Sequence, residues 1–531
     1  MWIDRTSALF GVIVLAASGC QNSGTGSQPA ASYENAPCPN PIYPGVPQLD
    51  LGPDAECGYL TVPENRADPR GRTIRLLVAT LKTLSPNPKP DPVVYLAGGP
   101  GGTPLVHRFG DWLLDRDLIL LGERGTLQDD PFLSCPEVDQ FLADAIDIGA
   151  EGPTYDEKSA SALGACRDRL AAQGIDLAAY NTTENAADVA DLRVAMGIDR
   201  WNIYALSYGT DLALQVLRDH PEGIRSVVLD SVLPPQINLT ESGWVGAASS
   251  YTAIFDACAA EPTCAQSFPD VRSEFIRMVN ELSANPLRVT IENAGQPTNV
   301  VIDGYKLASN VVVAAAQTPG QLARIPAMIH ELATGDPTDV AKALTEIPPP
   351  NLLGYGLQYS VLCREAVAHT TAAKVLTAGK QALPEFPDAV LAKPAQVPSM
   401  LSDCEIWSVP ASPPEVSNPA HSDLPVLLVS GSFDSATPPD WAAEAAETLS
   451  NSRHLIFPGT GHEVALNTPD AAACFLEVMR SFYDDPAAYN TDCVPMLRIP
   501  SFVTDRSVGS QATETGPNQT PRKARRAPQL L

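Results

Sequence analysis

The sequence predicts an α/β fold, in which a mostly parallel sheet is flanked by helices and interrupted by an inserted, mainly helical cap. The first observation is a set of short, nearly all apolar runs, a pattern typical of strands buried on both faces of a parallel sheet. These runs are Ile74–Leu81, Pro92–Ala97, Leu118–Gly122, Trp201–Leu206, Ser226–Asp230, Pro425–Ser430 and His454–Phe457. The second observation is that helical patterns separate several of the runs, since alternating strands and helices form parallel sheets through right-handed crossovers.

Helix signals place the connections and the insertion. Thr183 is expected to cap a helix that Gly197 ends, and residues 208–218 continue from a strand directly into a helix. Residues 236–420 are rich in Ala, Pro and Leu and lack the apolar runs, so they are predicted to form the cap. The expected division of the chain is 1–19 signal peptide, 20–56 tether and N-terminal extension, 57–235 and 421–503 the two parts of the α/β core, 236–420 the cap, and 504–531 a disordered tail.

Composition limits the classes of partner. The 531 residues are 44% hydrophobic and 18% charged, which provides enough apolar material for a large core. The 62 Asp and Glu residues outnumber the 35 Lys and Arg residues, and the formal net charge of -27 repels phosphate backbones. No nucleic-acid partner is therefore expected, and the sequence leaves the oligomeric state open.

The N-terminus has the features of an export signal. An apolar stretch too short to span a bilayer is followed by the small residues Ala17, Ser18 and Gly19, directly before Cys20. Small residues before a cysteine resemble a bacterial lipobox, which implies that Cys20 is acylated and tethers the protein to a membrane. The alternative is an ordinary secreted protein with an unmodified cysteine. We expect an exported cell-envelope protein, on the periplasmic or extracytoplasmic face, that contacts a membrane only through this anchor.

The other ten cysteines predict disulfides, because an even number in an exported chain is typical of a bridged protein. Sequence alone does not fix their connectivity. Pairing neighbours closes short local loops and predicts Cys38–Cys57, Cys135–Cys166, Cys258–Cys264, Cys363–Cys404 and Cys474–Cys493. A metal site is not expected, because there is no CxxC pair and no His at ligand spacing from a Cys.

A predicted strand, turn and helix around Ser207 carry the clearest chemical signal. The segment ALSYGT has small-x-Ser-x-Gly spacing, in which small residues permit a sharp turn that projects the serine hydroxyl at a helix N-terminus. Ala205 stands where glycine is usual, and alanine is still small enough for such a turn. An ordinary buried serine after a strand is the alternative.

Two later strands end in loops that carry an acid and a histidine. Asp434 follows the run that ends at Ser430, and His462 follows the run that ends at Phe457. An acid and then a histidine after the serine is the chain order of a triad on a parallel sheet. We expect His462 to accept and return the Ser207 proton while Asp434 orients the imidazole.

A glycine-rich loop follows the run that ends at Ala97. Its sequence is GGPGG, at residues 98–102. The backbone N–H groups of Gly99 and Tyr208 are predicted to form an oxyanion hole beside Ser207. The loop lacks both a lysine and the GxxxxGK[ST] spacing, so a phosphate site is not expected, and no cofactor is predicted.

Taken together, these segments resemble the prolyl-aminopeptidase and tripeptidyl-aminopeptidase (TAP-like) family of α/β-hydrolases, in its exported bacterial lipoprotein form. The segments that carry the resemblance are GGPGG, LGERGT, ALSYGT, LLVSGSFDSATPP and PGTGH. The resemblance implies the α/β-hydrolase fold and covers both parts of the core. The departures are Ala97 for His, Gly122-Glu123 for Asp-Gln, and Ala205 for Gly.

Substrate choice is expected to lie in the cap. Residues 359–365 resemble a cap segment of the family's peptidases, whose cap carboxylates hold a peptide N-terminus, so Glu365 is a candidate for ammonium recognition. A structural ion pair is the alternative role for Glu365.

The sequence predicts a serine hydrolase that forms an acyl-enzyme and removes N-terminal residues or short peptides from a small peptide substrate. A carboxylesterase with the same triad is one alternative, because fold and triad do not choose between amide and ester. A non-catalytic envelope lipoprotein that binds peptides is the other.

Overall fold

A sheet of nine strands forms the centre of the part of the chain that the computed structural model describes, residues 31–39, 51, 55–68, 70–106, 115–317 and 320–504. The predicted signal peptide, the Cys20 anchor and the tail beyond 504 lie outside these residues. The strands of this sheet and of a separate hairpin are β1 Ser32–Ala36, β2 Ala55–Pro63, β3 Thr73–Leu81, β4 Val93–Leu96, β5 Leu118–Leu121, β6 Trp201–Leu206, β7 Ile224–Asp230, β8 Leu287–Asn293, β9 Gln296–Ile302, β10 Val426–Gly431 and β11 Ser452–Phe457.

The strand order is β1-β2-β3-β5-β4-β6-β7-β10-β11. From β5 to β11 every neighbouring pair is parallel, whereas β1, β2 and β3 pair in antiparallel fashion and β3 joins β5 in the same way. The carboxyl ends of β4, β6, β10 and β11 therefore lie at one edge of the sheet, where ligand sites of open α/β sheets are found.

Sixteen α-helices lie within the described residues. They are α1 Pro136–Asp144, α2 Pro153–Ala172, α3 Thr182–Ala195, α4 Tyr208–Asp219, α5 Leu239–Ala260, α6 Pro262–Ser267, α7 Val271–Ala284, α8 Ala314–Gln317, α9 Ile325–Ala333, α10 Thr338–Ala343, α11 Tyr355–Val361, α12 Ala372–Ala382, α13 Asp388–Leu391, α14 Met400–Trp407, α15 Pro439–Ala446 and α16 Pro469–Asp484. Two π-helical segments, Lys306–Val313 and Leu362–Ala366, add to them.

Helices cover both faces of the sheet. One face packs on α3, α4 and α15 through residues such as Val189, Leu212 and Ala442. The other packs on α16 through Phe475, Val478 and other apolar side chains. Strands covered on both faces need apolar side chains at almost every position, which is why each parallel strand was visible as an apolar run.

The structure confirms the α/β fold and corrects three details of the predicted elements. The cap of α3 is Asn181, not Thr183, because the Asn181 side chain accepts a hydrogen bond from the N–H of Glu184. The antiparallel strands β1 and β2 were not predicted. The third correction is the hairpin β8–β9, which lies within the region predicted to be without strands and turns at Ala294 and Gly295, both with positive φ.

Residues 236–420, between β7 and β10, are called the cap below. They hold α5 to α14. Most of these helices pack around one apolar cluster, in which Tyr251, Phe275 and Phe386 contact one another. The exceptions are α11 and α14, which pack in a second cluster with apolar residues of the core such as Leu163. The segment that follows α16 returns to the first cluster. Phe502 is buried in it, and the N–H groups of Phe502 and Val503 donate to the Glu261 carboxylate at 3.0 Å and to the Ala323 carbonyl at 2.9 Å. We call residues 494–504 the strap, because they join the core to the cap.

The described residues contain five disulfides, and these join the pairs named from the sequence: Cys38–Cys57, Cys135–Cys166, Cys258–Cys264, Cys363–Cys404 and Cys474–Cys493. Bridges of this number fit an oxidising compartment outside the cytosol. Among the described residues, no helix is both long and apolar enough to cross a membrane.

A buried arginine fixes the loop after β5. The guanidinium of Arg124 is fully buried, donates two hydrogen bonds of 2.8 Å to Asp188, and donates to the carbonyls of Glu64 and Ala179. A paired, fully hydrogen-bonded guanidinium is tolerated inside a protein, whereas removal of one partner leaves a buried charge uncompensated.

We predict that Arg124→Met lowers the free energy of unfolding by about 2–3 kcal/mol. Asp188 loses two hydrogen bonds and keeps its ion pair with Arg66 at 2.6 Å, while the carbonyls of Glu64 and Ala179 lose their donor. Arg272→Met is the control, since its pair with Asp256 is exposed, with 46% and 69% of the two side chains accessible. The control is expected to change stability by less than about 1 kcal/mol. Denaturant unfolding of both variants checks this, and equal losses would contradict the assignment.

Candidate active site

Ser207 lies at a sharp turn between β6 and α4. Its backbone has φ 55° and ψ -124°, a strained conformation for a residue with a side chain. A Cβ at Gly209 would lie 2.3 Å from the carbonyl oxygen of Leu96 and 2.6 Å from that of Ala97. The close approach of α4 to β4 therefore requires glycine two residues after the serine. Gly98 lies against the serine, since a Cβ there would be 2.9 Å from Ser207 Cβ.

The loops after β10 and β11 bring Asp434 and His462 together. Nδ1 of His462 lies 3.0 and 2.9 Å from the two carboxylate oxygens of Asp434, and both side chains are buried. The N–H groups of Ala436 and Thr437 donate to Asp434 Oδ1, and Thr437 Oγ1 donates to Oδ2 at 2.9 Å. These five contacts fix the Asp434 carboxylate against Nδ1 of His462. The other ring nitrogen, Nε2, is left for proton transfer.

Opposing effects set the pKa of His462. Burial acts to lower it, but the charge of Asp434 and the hydrogen bond to it, with smaller effects of Glu463 and Asp230, raise the pKa to about 9. The pKa of Asp434 moves the other way: burial acts to raise it, and His462 and Thr437 hold it below the ordinary value. The pair is therefore an ionised carboxylate beside an imidazole of raised basicity.

Asp230, the last residue of β7, links the serine turn to the histidine loop. Its backbone carbonyl accepts a hydrogen bond from the N–H of Ser207 at 3.0 Å. Its buried carboxylate accepts from the N–H groups of Val464 and Ala465, each at 3.2 Å, and from the Tyr204 hydroxyl at 3.1 Å. Burial raises the pKa of Asp230 to about 6, although these hydrogen bonds oppose the rise.

The structure brings Ser207, Asp434 and His462 to the same edge of the sheet. Among the described residues, the His462 ring makes hydrogen bonds to Asp434 and Thr437 and makes none to Ser207 Oγ. Hydrogen bonds of catalytic groups are often long in the absence of substrate and shorten in the complex.

The loop of residues 98–102 lies beside the serine turn. It contains a cis peptide bond between Gly99 and Pro100, with φ 132° at Gly99. The N–H of Gly102 donates to Gly98 within the loop, and the N–H of Gly354 in the cap donates to Gly101 at 2.9 Å. Of the two residues named for an oxyanion hole, Gly99 lies in this loop, next to Gly98, and Tyr208 is the first residue of α4, directly after Ser207.

The structure gives physical reasons for one departure from the family sequence. A Cβ at residue 122 would lie 2.5 Å from Asp129 Oδ1, so the Asp129 carboxylate occupies the space that a side chain at Gly122 would need. That carboxylate accepts from the N–H groups of Leu77 and Thr126. Glu123 is different: it is 2% exposed, and its carboxyl oxygens make no well-formed hydrogen bond among the described residues. Burial and the charge of Asp129 raise the pKa of Glu123 well above its ordinary value, against the opposing effect of the backbone N–H of Ala97.

Glu365 reaches the serine turn from the cap. Its carboxylate accepts from the N–H of Thr182 at 2.8 Å and from the Thr182 hydroxyl at 2.6 Å. That hydroxyl also contacts the hydroxyl of Tyr208 at 2.9 Å. Burial raises the pKa of Glu365, and burial with the charge of Glu365 raises the pKa of Asp211 on α4 to about 8. These two carboxyl groups lie near the start of α4. Within the described part of the chain neither makes a hydrogen bond to an arginine or lysine, although the charges of Arg364 and Arg218 act to lower their pKa values.

Sequence reasoning did not single out Asp230 or Thr437. The indication available from the sequence was position alone: Asp230 ends an apolar strand, and Thr437 stands three residues after Asp434. Their roles depend on hydrogen-bond partners in other segments of the chain. Among the described residues, no group of three or more His, Cys, Asp or Glu side chains could hold a metal ion.

Comparison with known proteins gives two family matches. The α/β hydrolase fold family matches residues 91–275, and the TAP-like protein family matches residues 389–493. A tripeptidyl aminopeptidase from Streptomyces lividans is 28% identical over 195 residues, which are 34% of this chain and 36% of the relative. The serine protease Hip1 from Mycobacterium tuberculosis H37Rv is 24% identical over 453 residues, 80% of this chain and 84% of the relative.

A probable proline iminopeptidase from Streptomyces coelicolor is 28% identical over 149 residues, 28% of this chain and 34% of the relative. The matches thus span about a third of the length of the Streptomyces relatives and most of the length of Hip1.

The raised pKa of His462 predicts an alkaline rise in activity. The imidazole must be unprotonated to accept a proton, so kcat/KM for a hydrolysed substrate is expected to increase with pH through a midpoint near 9. Asp434→Asn removes the group that raises this pKa, so the midpoint should move to lower pH while the plateau falls by about 10⁴-fold. A midpoint near about 6.5 in the wild type would contradict this interpretation.

Proposed function

This chain is an α/β hydrolase with a TAP-like C-terminal segment, and from that premise we propose that it is a serine exopeptidase acting on free peptide N-termini. The observation that carries the proposal is the buried pair of His462 Nδ1 and Asp434, 2.9 Å apart, at the same sheet edge as the strained Ser207 turn. A buried acid-histidine pair beside a serine on such a turn is the arrangement of nucleophilic catalysis.

In the proposed reaction, Ser207 Oγ attacks the scissile carbonyl carbon while His462 Nε2 takes the hydroxyl proton. The backbone N–H groups of Gly99 and Tyr208 stabilise the charge that forms on the carbonyl oxygen. The C–N bond then breaks, and His462 returns the proton to the leaving amine. Water, activated by His462, hydrolyses the acyl-enzyme and restores Ser207.

The carboxyl groups near the serine turn support a substrate with a positive charge. Burial raises the pKa of both Glu365 and Asp211, and repulsion by the charge of Glu365 adds to the rise at Asp211, although the charges of Arg364 and Arg218 act in the opposite direction. An ammonium group beside them would relieve that repulsion and make a charge-assisted hydrogen bond. The names of the relatives, tripeptidyl aminopeptidase and proline iminopeptidase, agree with recognition of a free N-terminus.

The proposed location is the cell envelope. The five disulfides support export, and the small residues before Cys20 support a lipid anchor at the N-terminus of the processed chain. We propose residues 57–235 and 421–503 as the catalytic core and 236–420 as the substrate-selecting cap.

We predict that purified protein cleaves chromogenic peptides with a free N-terminus and that Ser207→Ala abolishes this activity. N-acetylated versions of the same peptides should be cleaved at least about tenfold more slowly, because the acetyl group removes the charge. Glu365→Gln should raise KM for the free peptides and leave the blocked ones unchanged.

A short p-nitrophenyl ester separates the alternatives. Hydrolysis of the ester alone would favour a carboxylesterase and contradict the exopeptidase. Equal signals from wild type and Ser207→Ala would contradict a serine hydrolase altogether.

We predict that the full-length protein expressed in a bacterial host is found with membranes and that Cys20→Ser releases it into the soluble envelope fraction. The reason is that acylation of this cysteine is the proposed attachment. Fractionation and immunoblotting measure the change, and membrane retention of the variant would contradict the anchor.

A further inference from the structure

The loop that carries Asp434 is bound on one side by the core. The N–H of Phe433 donates to the carbonyl of Thr460 at 2.9 Å, and the N–H of Asp434 donates to that of Gly431 at 3.2 Å. These bonds attach the backbone of the loop to the end of β10 and to the histidine loop.

The other side of the same loop is bound by the cap. On α5, Ser250 Oγ donates to the carbonyl of Phe433 at 2.8 Å. Ser435 Oγ donates to the carbonyl of Val313, the last residue of a π-helical segment of the cap, at 3.0 Å. Both hydroxyls belong to buried residues, 1% and 2% exposed, so they do not exchange these partners for solvent. The two residues on either side of Asp434 are therefore each hydrogen-bonded to the cap.

Apolar packing also joins the loop of Asp434 to the cap. Phe433 is 2% exposed and belongs to the apolar cluster of the cap, although it lies in the core part of the chain. On α5, Gly246 is one helical turn before Ser250 and faces the same loop. A Cβ at Gly246 would lie 3.1 Å from the carbonyl oxygen of Ser435 and 3.3 Å from the Pro438 ring, so the helix contacts the loop directly.

We propose that Ser250 and Ser435 are positioning residues, which hold Asp434 in place only while the cap is seated. The cap is called seated when it is packed on the core and the hydrogen bonds of both serines are made. This inference rests on the proposed catalytic role of Asp434. When the cap is seated, the hydroxyls hold the residues before and after the carboxylate. When the cap moves away, the loop keeps only its bonds to the core, and the carboxylate loses its fixed distance to His462.

The proposal gives the cap a second role beside substrate selection. Contacts between a substrate and the cap would favour the seated arrangement, and the seated arrangement holds the acid that orients the imidazole. Binding under the cap is thereby coupled to the readiness of His462.

The experiment uses the purified full-length protein with three variants, Ser250→Ala, Ser435→Ala and the double variant. Ser226→Ala is the matched control, because Ser226 is fully buried and donates to the Asn202 side chain at 2.7 Å, at the opposite end of β7. A fluorophosphonate that labels the active serine serves as the probe, and its second-order rate constant is measured from pH 6 to 10. Thermal unfolding of each variant establishes that it is folded.

Each single variant is expected to react about three- to tenfold more slowly, the equivalent of one hydrogen bond. The midpoint of the alkaline rise should also move to lower pH, because Asp434 raises the pKa of His462 less when it is poorly held. Asp434, Glu463 and Asp230 are the charged groups that raise this pKa, and none of them is changed in the variants. The control should keep both the rate and the midpoint of the wild type.

A folded Ser250→Ala protein that keeps the wild-type midpoint would overturn the proposal, whether or not its rate falls. A slower rate with an unmoved midpoint is the result that a purely structural role would give. If Ser435→Ala does not fold, Ser250→Ala decides alone, since its hydroxyl lies on α5 and not in the loop. Failure of the proposed serine nucleophile is recognised separately, because Ser207→Ala would then react with the probe as the wild type does. Failure of the exopeptidase specificity shows only in the peptide and ester assays and leaves this test unchanged.

Discussion

The candidate active site depends on the buried carboxylate of Asp230. A carboxylate removed from water costs several kcal/mol unless it accepts good hydrogen bonds. Here the donors are the N–H groups of Val464 and Ala465, two and three residues after His462, and the Tyr204 hydroxyl. The need to satisfy this charge holds the histidine loop against β7, while the Asp230 carbonyl holds the N–H of Ser207. The histidine loop cannot leave β7 without taking two donors from a buried carboxylate.

Three of the loops at this edge are also attached to the cap. Gly354 donates to the glycine-rich loop at Gly101, Glu365 is joined through Thr182 to Tyr208, and Ser250 donates to the loop of Asp434. The site is consequently formed between two packed parts of the chain. Its geometry depends on how they fit together as well as on the core alone.

Neighbouring residues were sufficient to predict the parallel strands and the loops that carry Ser207, Asp434 and His462. An apolar run indicates each strand, and the small or polar residues that follow it indicate the turn or loop. The unpredicted β1 has the sequence SYENA and is mostly exposed at the sheet edge, so burial left no apolar signal in it. The hairpin β8–β9 is exposed along much of its length, and only its last residues, Val300, Val301 and Ile302, form a buried apolar run, which is too short to indicate a strand. The hydrogen bond of Ser250 to Phe433 joins residues that are 183 positions apart in the sequence. No spacing pattern predicts such a bond, because it forms only when the cap packs on the core. The role of Gly122 was hidden for the same reason, since the group that fills its space comes from Asp129.

The strap limits how the cap can move relative to the core. A lid attached by its two chain connections alone could swing about them as about a hinge, but the strap crosses to the far part of the cap and inserts Phe502 into its interior. To open as a rigid body, the cap would have to extract this anchor and break the bonds to Glu261 and Ala323. The motion left to the cap is then a short shift over the core. Because a displacement of about 1 Å already lengthens a hydrogen bond of 2.8 Å beyond its normal range, even so small a shift separates Ser250 from the carbonyl of Phe433.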